Sequence, residues 1–203
     1  METIKKLIAK EQSAKKTLEN GVEIFIETIS QQPMVFIFGA GHLSFYISKY
    51  AKSLNFRVTV CDDRVEFANR DRFPDADNII VEDFENVFEE LNIGKNSYIV
   101  IVTKGHKCDE IVLENALKTN AKYIGMIGSK RKTLTILERL NTKGIPAETL
   151  NRVFSPIGIS IGAVTPQEIA LSIVCELVKI RRLGDACQTN HMKMGFSTKL
   201  KGK

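Results

Sequence analysis

The stretch "VFIFGAGHLSFYISKYAKSLNFRVTVCDDR", residues 35–64, decides the fold of this chain. It reads as an apolar strand, a glycine turn, a helix, a second strand and an acid. After the turn, apolar residues repeat at helical spacing: Leu43, Ile47, Tyr50, Ala51 and Leu54. A helix with one apolar face between two strands predicts a strand–helix–strand unit of an α/β fold.

The glycine turn has the residues that a dinucleotide site needs. Gly39 permits a tight turn, Gly41 removes a side chain where a pyrophosphate would approach, and Ser44 is small enough for close packing. The N–H groups and dipole of the helix start attract an anion. Asp62 follows Gly41 by 21 residues, where a carboxylate accepts hydrogen bonds from ribose hydroxyls. The alternative is that the glycines only make a turn and Asp62 caps a loop.

Strands and helices alternate along the rest of the chain. Apolar, β-branched runs predict strands near 34–38, 57–61, 78–81, 97–102, 121–125 and 152–155. Their lack of polar alternation indicates a parallel sheet covered on both faces, hence a doubly wound α/β fold. Upstream, the sequence predicts a helix that Asn20-Gly21 ends, then a short strand over 22–27. We therefore divide the chain into an N-terminal extension, a Rossmann-like domain and a basic, flexible tail: 1–32, 33–183 and 184–203.

A second loop emerges at the edge of the sheet where ligands bind in such folds. It contains Thr103, Lys104, Gly105, His106, Lys107, Cys108 and Asp109 and precedes a helix. The histidine could serve as an acid–base group, a metal ligand or a phosphate donor, or it could only bond its own backbone. Cys108 could be a thiolate ligand or a small apolar filler.

A third loop departs from the usual charge pattern of helices. Ser129 after Gly128 is the predicted N-cap, and Lys130, Arg131 and Lys132 occupy the first turn. Cations there oppose the helix dipole by about 0.3–1 kcal/mol each. Such a turn either points its cations into water or binds an anion, and the adjacent glycine turn favours the anion.

The last predicted helix begins with strong local signals. Thr165 is the N-cap, Pro166 takes the first helical position and Glu168 completes a capping box. Apolar residues then cover most of the circumference, and a narrow polar strip remains at Ser172, Glu176 and Lys179. We expect this helix to be buried on more than one side and to form a homodimer interface.

Composition limits the classes of function. The chain has 203 residues and a net charge of +5, of which the last twenty residues contribute +3 through four lysines and one aspartate. A basic tail of this kind is usually solvated, so we predict no nucleic-acid partner. No apolar run approaches the roughly 20 residues of a membrane span, and residues 1–16 are charged and lack the apolar core that a signal peptide would have. The unpaired spacing of the four cysteines predicts free thiols and a cytoplasmic protein.

Five motifs together resemble a known family, in order and spacing: "FGAGHLS", "CDDR", "TKGHKCDEIVLENAL", "YIGMIGSKRKTLTILERL" and "SPIGISIGAVTPQEIALSI". They are similar to the Rossmann domain of the XdhC family, the xanthine dehydrogenase accessory proteins, over residues 22–183. The resemblance implies a chaperone that binds molybdenum cofactor, supports its sulfuration and delivers it to a molybdenum hydroxylase. A cysteine desulfurase is a further implied partner.

The resemblance also implies which residues bind the cofactor. The family's glycine turn and strand-end acid fall on Gly39, Ala40, Gly41, His42, Leu43, Asp62, Asp63 and Arg64. Its two later loops fall on Thr103, Lys104, Gly105 and His106 and on Gly128, Ser129, Lys130 and Arg131. Lys104 stands where arginine is common in the family, and Ser160 where aspartate is frequent. Family members usually carry a further N-terminal domain, so we expect this chain to work with a separate partner or to be a narrower relative.

Two other functions stay open from the residues alone. A nicotinamide-dependent oxidoreductase would use the same glycine turn, and Arg64 could accept the 2′-phosphate of NADP. Against it, the chain offers no second domain for a substrate and no Tyr-x-x-x-Lys, because Ile127 stands four residues after Tyr123. The other alternative is a nucleotide-sensing regulatory module.

Overall fold

The structure, a computed structural model, describes residues 14–17, 21–27 and 31–184. The chain divides into two compact units, Met1–Gln32 and Pro33–Lys203. Within the described ranges, no helix combines the length and apolarity that a bilayer crossing requires. The predicted basic tail lies outside the described residues.

The first unit contains an antiparallel strand pair. β1 (Ala14–Thr17) pairs with β2 (Glu23–Ile26), and Lys15 forms an ion pair with Glu23 at 2.7 Å. The strand over 22–27 was predicted, but the helix is wrong for residues 14–17; the rest of that helix lies outside the described residues. Gly21, taken as part of a helix end, lies just before β2 and has a φ of +80°, whereas Asn20 lies outside the described residues. Asn-Gly is also a frequent hairpin signal.

The second unit contains six parallel strands. They are β3 (Met34–Phe38), β4 (Arg57–Asp62), β5 (Asn78–Val81), β6 (Ser97–Ile101), β7 (Tyr123–Met126) and β8 (Val153–Phe154). The order across the sheet is β5-β4-β3-β6-β7-β8. Counted within this unit, the order is 3-2-1-4-5-6, which is that of a Rossmann sheet. The predicted doubly wound α/β fold is confirmed.

Helices cover both faces of this sheet. α1 (His42–Ser53) and α5 (Pro166–Leu183) pack on one face; α2 (His106–Leu117), α3 (Lys130–Thr142) and the short α4 (Ala147–Leu150) lie on the other, with a 3₁₀ turn at Val87–Glu90. Successive side chains of β3 point to opposite faces of the sheet, and they contribute to two separate hydrophobic cores. Val35 and Ile37 belong to the core under α1 and α5, whereas Phe36 and Phe38 belong to the core under α2 and α3.

α5 begins as predicted, but its polar strip is more buried than the sequence pattern indicates. Thr165 and Glu168 form the capping box, and Pro166 opens the helix. Two members of the polar strip, Ser172 and Glu176, are buried. Glu176 Oε2 accepts hydrogen bonds from the Tyr123 hydroxyl and from the backbone N–H of Gly158, so one oxygen of this buried carboxylate has two donors inside the core. The apolar residues of α5 are covered largely by α1 and the sheet.

Candidate functional site

Glycine stands at positions 39 and 41 of the first turn for two different structural reasons. Gly39 has a φ of +106°, and a Cβ there would lie 2.4 Å from the carbonyl oxygen of Val102. Only glycine therefore allows β3 and β6 to meet at this point. Gly41 has an ordinary φ of −77°, and a Cβ there would meet no atom within 4 Å. The fold demands glycine at 39, whereas at 41 glycine leaves free space in front of the start of α1.

Asp62 holds the glycine turn in place. Its buried carboxylate accepts the backbone N–H of Ala40 at 2.7 Å, and Arg64 donates to both oxygens, from Nε at 2.8 Å and Nη2 at 3.0 Å. Burial works against ionisation, but the hydrogen bonds from Arg64 and Ala40 outweigh it and lower the pKa of Asp62 below its ordinary value. Asp62 lies where the sequence places the ribose-binding acid, with its oxygens engaged by protein donors.

Arg64 is positioned by more than its carboxylate partner. Its guanidinium lies 4.0 Å from the centre of the Phe67 ring, where a cation is stabilised by the π-system. Arg72 contacts the same ring from 5.0 Å and donates to the carbonyl of Ala40 at 3.2 Å. The N–H of Ala40 is thus bound by the last residue of β4 and its carbonyl by a side chain from the segment after β4. No motif in the sequence pointed to Arg72 or Phe67.

An ion pair links the loops after β4 and β6 across the topological switch point of the sheet, which is the place between β3 and β6 where the strand order reverses. Lys104 Nζ lies 2.9 Å from Oδ2 of Asp63. Thr103 donates to Oδ1 of Asp109 at 2.6 Å, and Lys132 donates to the other oxygen at 2.8 Å. Asp109 is fully buried, so the ammonium of Lys132 compensates its charge. Lys132 is therefore an internal ion-pair partner.

The two helices at the switch point begin alike. The N-cap residues of α1 and α2 are Gly41 and Gly105, and neither helix start has a side-chain cap. Each helix opens with an exposed histidine, His42 or His106. α2 begins earlier than predicted, since His106 is its first residue and not part of the preceding loop. These helix starts lie in the crevice at the carboxyl ends of β3 and β6. Their uncapped N–H groups and helix dipoles make this part of the crevice suitable for an anion.

The helices α3 and α5 show the opposite arrangement. Ser129 accepts the N–H of Lys132, and Thr165 accepts that of Glu168, as predicted for both caps. The three adjacent cations of α3 have different surroundings. Arg131 and Lys132 line a cavity of about 400 Å³ together with His106, and Lys132 also pairs with Asp109, whereas Lys130 lines a different cavity of about 660 Å³. Arg131 and His106 thus line one cavity, and Lys130 lines another.

The two cysteines closest to the crevice are held in the thiol form. Burial raises the pKa of Cys61 strongly, with Glu90 and Asp62 adding to the effect. Burial also raises the pKa of Cys108, and Asp63 adds to it. Among the described residues, Cys61, Cys108 and Cys175 are free, and no cluster of His, Cys, Asp or Glu could hold a metal ion.

The chain is similar in sequence to a known domain family and to two known bacterial proteins. The model of the XdhC Rossmann domain matches residues 35–177. "Uncharacterized protein YqeB" of Escherichia coli (strain K12) is 30% identical over 161 residues, which is 79% of this chain and 29% of the relative. A probable xanthine dehydrogenase subunit of Bacillus subtilis (strain 168) is 30% identical over 159 residues, 78% of this chain and 46% of the relative.

A solved structure agrees with these relatives. A xanthine dehydrogenase from Bacillus halodurans superimposes with a TM-score of 0.70 at 29% identity, covering 83% of this chain and 48% of that one. The chain therefore spans less than half the length of each of these proteins.

A parallel sheet in this order, with the glycine turn held beside the point where the strand order reverses, defines a Rossmann-type domain. The match over residues 35–177 identifies it further: the chain belongs to the XdhC family and is related to xanthine dehydrogenase accessory proteins.

Proposed function

We propose that this chain is a molybdenum cofactor accessory protein, which holds the cofactor by its anionic, nucleotide-like end, protects it and delivers it to a molybdenum hydroxylase. The observation that carries the proposal is the pair of uncapped Gly-His helix starts at the switch point, Gly41-His42 and Gly105-His106. Family membership and the printed names of the relatives support the choice of ligand and of client enzyme.

The residues present fit such a ligand. Molybdenum cofactor is a pterin that carries a phosphate and is sometimes extended to a dinucleotide, so one end of it is anionic. A Cβ at Gly41 or at Gly105 would meet no protein atom within 4 Å, which leaves both helix starts open to a phosphate. The N–H groups of Gly41, His42 and Leu43 would hold it on one side and those of Gly105 and His106 on the other. Bound there, the cofactor supplies the molybdenum centre that the client enzyme needs.

The charged side chains around the crevice would orient the ligand. Arg64 and Lys104 lie at the ends of β4 and β6, each on an aspartate that keeps it in position. Asp62 would act chiefly by fixing the turn through Ala40, and its ribose contact requires Arg64 to move. Arg131, which shares a cavity with His106, would bind a second anionic group.

The thiol form of Cys61 and Cys108 bears on sulfuration. A thiol is a much weaker nucleophile than a thiolate, so neither side chain suits the acceptance of sulfur. We propose that the chain supports sulfuration by presenting the bound cofactor while a cysteine desulfurase supplies the sulfur from its own residues.

NAD(P) is the alternative ligand, because Arg64 lies two residues after the second strand of the Rossmann unit and could meet a 2′-phosphate. A tyrosine-based reduction is disfavoured, since Tyr123 is buried and bonded to Glu176. As a regulatory module the chain would bind such a nucleotide without chemistry. These alternatives differ from the proposal in the ligand that the purified protein carries.

The test is to purify the chain from a host grown with molybdate and to record its native mass spectrum and absorbance. The proposal predicts a pterin chromophore and a bound mass equal to one form of the cofactor. A bound mass of NAD(P) alone, with no pterin absorbance, would contradict it.

A further inference from the structure

A second cavity lies at the same edge of the sheet, beyond β7 and β8. Its volume is about 660 Å³, within the usual size of a small-molecule pocket. The loop from Ser155 to Ala163 forms one wall, and Lys130 of α3 and Ile169, Ser172 and Lys179 of α5 complete it. The glycine turn contributes nothing to this lining, so the cavity is separate from the site described above.

The wall formed by the loop is fixed by hydrogen bonds to α5. The backbone N–H of Gly158 donates to Glu176 Oε2 at 2.9 Å, and that of Ile159 donates to the carbonyl of Ser172 at 3.2 Å. Gly158 has a φ of +95°, and a Cβ there would lie 2.5 Å from the Ser172 hydroxyl oxygen. The loop can therefore approach α5 this closely only with glycine at 158. The cavity is a preformed feature of the domain.

The charge of the cavity is positive. Lys130 and Lys179 both line it, and its lining includes no carboxylate. In the part of the chain that the structure describes, neither ammonium forms an ion pair, whereas the neighbouring cations Lys132 and Arg139 pair with Asp109 and Glu110. Lys130 also lies in the first turn of α3, where the helix dipole disfavours a cation. An anion bound at Lys130 would offset this unfavourable interaction, and Lys179 adds a second positive charge to the same cavity.

The loop offers hydrogen-bond donors beside these lysines. Within the described residues, the backbone N–H groups of Ser160, Ile161, Gly162 and Ala163 make no hydrogen bond to protein. The rest of the wall is aliphatic, from Pro156, Ile157, Ile159 and Ile169, and the lining also includes serine hydroxyls. The combination suits a ligand with an apolar body, polar edges and one acidic group.

We infer that this cavity is a second binding site, for a small heteroaromatic anion such as a pterin or purine that carries a carboxylate or phosphate. Lys130 and Lys179 bind the acidic group, the aliphatic wall packs on the ring, and the loop amides and hydroxyls meet the polar edges. This site is independent of the proposed function, because it uses neither the glycine turn nor the starts of α1 and α2.

The test is a fluorescence titration of the full chain with pterin-6-carboxylate, with neutral pterin as the matched ligand. Lys130→Met and Lys179→Met each remove one charge and keep the length of the side chain. Lys49→Met, at an exposed position of α1 outside the cavity, is the control variant. Each cavity variant should bind the acid about 10-fold more weakly or worse, as expected for one lost ionic hydrogen bond.

The unmodified protein and Lys49→Met should bind the acid alike and prefer it to neutral pterin. Gly41→Val should leave this titration unchanged, which separates the cavity from the glycine turn. The inference is overturned if the unmodified protein does not bind the acid, if both lysine variants bind within twofold of it, or if Gly41→Val abolishes binding. Circular dichroism of each variant confirms that the fold is retained.

Discussion

Asp62 Oδ2 accepts the backbone N–H of Ala40 at 2.7 Å, so the acid at the end of β4 holds the glycine turn at the end of β3. The turn and the acid are 22 residues apart in sequence and form one unit in the structure. This contact gives Asp62 a role in the protein without ligand, in addition to any contact with a nucleotide.

The first prediction concerns acid sensitivity. The pKa of Asp62 is lower in the folded protein than in the unfolded chain, because the hydrogen bonds from Arg64 and Ala40 outweigh the effect of burial. Its ionised form therefore stabilises the fold above the pKa of the unfolded chain, and this contribution is lost as the pH falls through the folded pKa. Asp62→Asn should lower the free energy of unfolding in urea near neutral pH, and the difference should shrink on acidification.

Asp77 provides the matched control. Burial opposes ionisation there too, but hydrogen bonds from the Val58 N–H and from Lys52 lower its pKa, at the opposite end of β4. Asp77→Asn should show the same acid dependence and leave ligand affinity unchanged, whereas Asp62→Ala should weaken binding by about 1–3 kcal/mol. Equal affinities for both variants and the unmodified protein would remove Asp62 from the site.

The second prediction separates two adjacent lysines. Lys132→Met leaves the buried Asp109 without its cation, so it should destabilise the fold by about 2–4 kcal/mol, somewhat less than a fully buried pair because the lysine side chain is 22% exposed. Lys130→Met removes no ion pair and should leave the stability unchanged. Urea unfolding of both variants measures the difference. Similar stabilities would mean that the Lys132–Asp109 pair contributes little.

The third prediction concerns Arg131 and His106, which line one cavity. Arg131→Ala and His106→Ala should each reduce retention of the copurified ligand. Without ligand, Arg131→Ala should melt at the same or a slightly higher temperature, because a cation is removed from the first turn of α3. A decrease of more than about 4 °C with unchanged retention would show that Arg131 is a structural residue and not an anion ligand.

The fourth prediction concerns the homodimer interface expected on α5. Ile180 is only 4% exposed and belongs to the core, so Ile180→Glu should unfold the domain and cannot report on assembly. Leu171 and Leu183 are exposed on α5 at 47% and 59%. If α5 forms the interface, at least one of Leu171→Glu and Leu183→Glu should give a folded monomer by light scattering. A monomeric starting protein, or an unchanged size for both variants, would exclude this interface.

The sequence predicted the sheet well because its signals are local. The β3–α1–β4 unit combines apolar runs, a helical repeat and a glycine turn within 30 residues, and each element appears within a residue or two of its predicted bounds. The N-terminal error has the opposite cause. Asn20-Gly21 can end a helix or join two strands, and its neighbours form too weak a pattern to decide between them.

The site was less predictable because the residues that contact one another in it are distant in sequence. Lys130, Arg131 and Lys132 look alike in the sequence, and their roles differ because Asp109, 23 residues before Lys132, takes one of them. Arg72 reaches the Ala40 carbonyl across 32 residues. Similarly, Glu176 reads as part of a polar surface strip until Tyr123 and Gly158 are seen beside it. No local pattern contains such pairings.

The most direct test of the central claim is the affinity of Gly41→Val for the ligand that copurifies with the unmodified protein. The φ of −77° accommodates valine, and the space in front of residue 41 is free of protein atoms, so the fold should be retained while the side chain obstructs a phosphate. Gly94→Val makes the same change in free space at the opposite edge of the sheet. We predict that Gly41→Val loses at least about 10-fold in affinity by titration calorimetry, equivalent to 1.4 kcal/mol, and that Gly94→Val binds normally. A folded Gly41→Val protein with unchanged affinity would contradict the assignment of the ligand to the glycine turn.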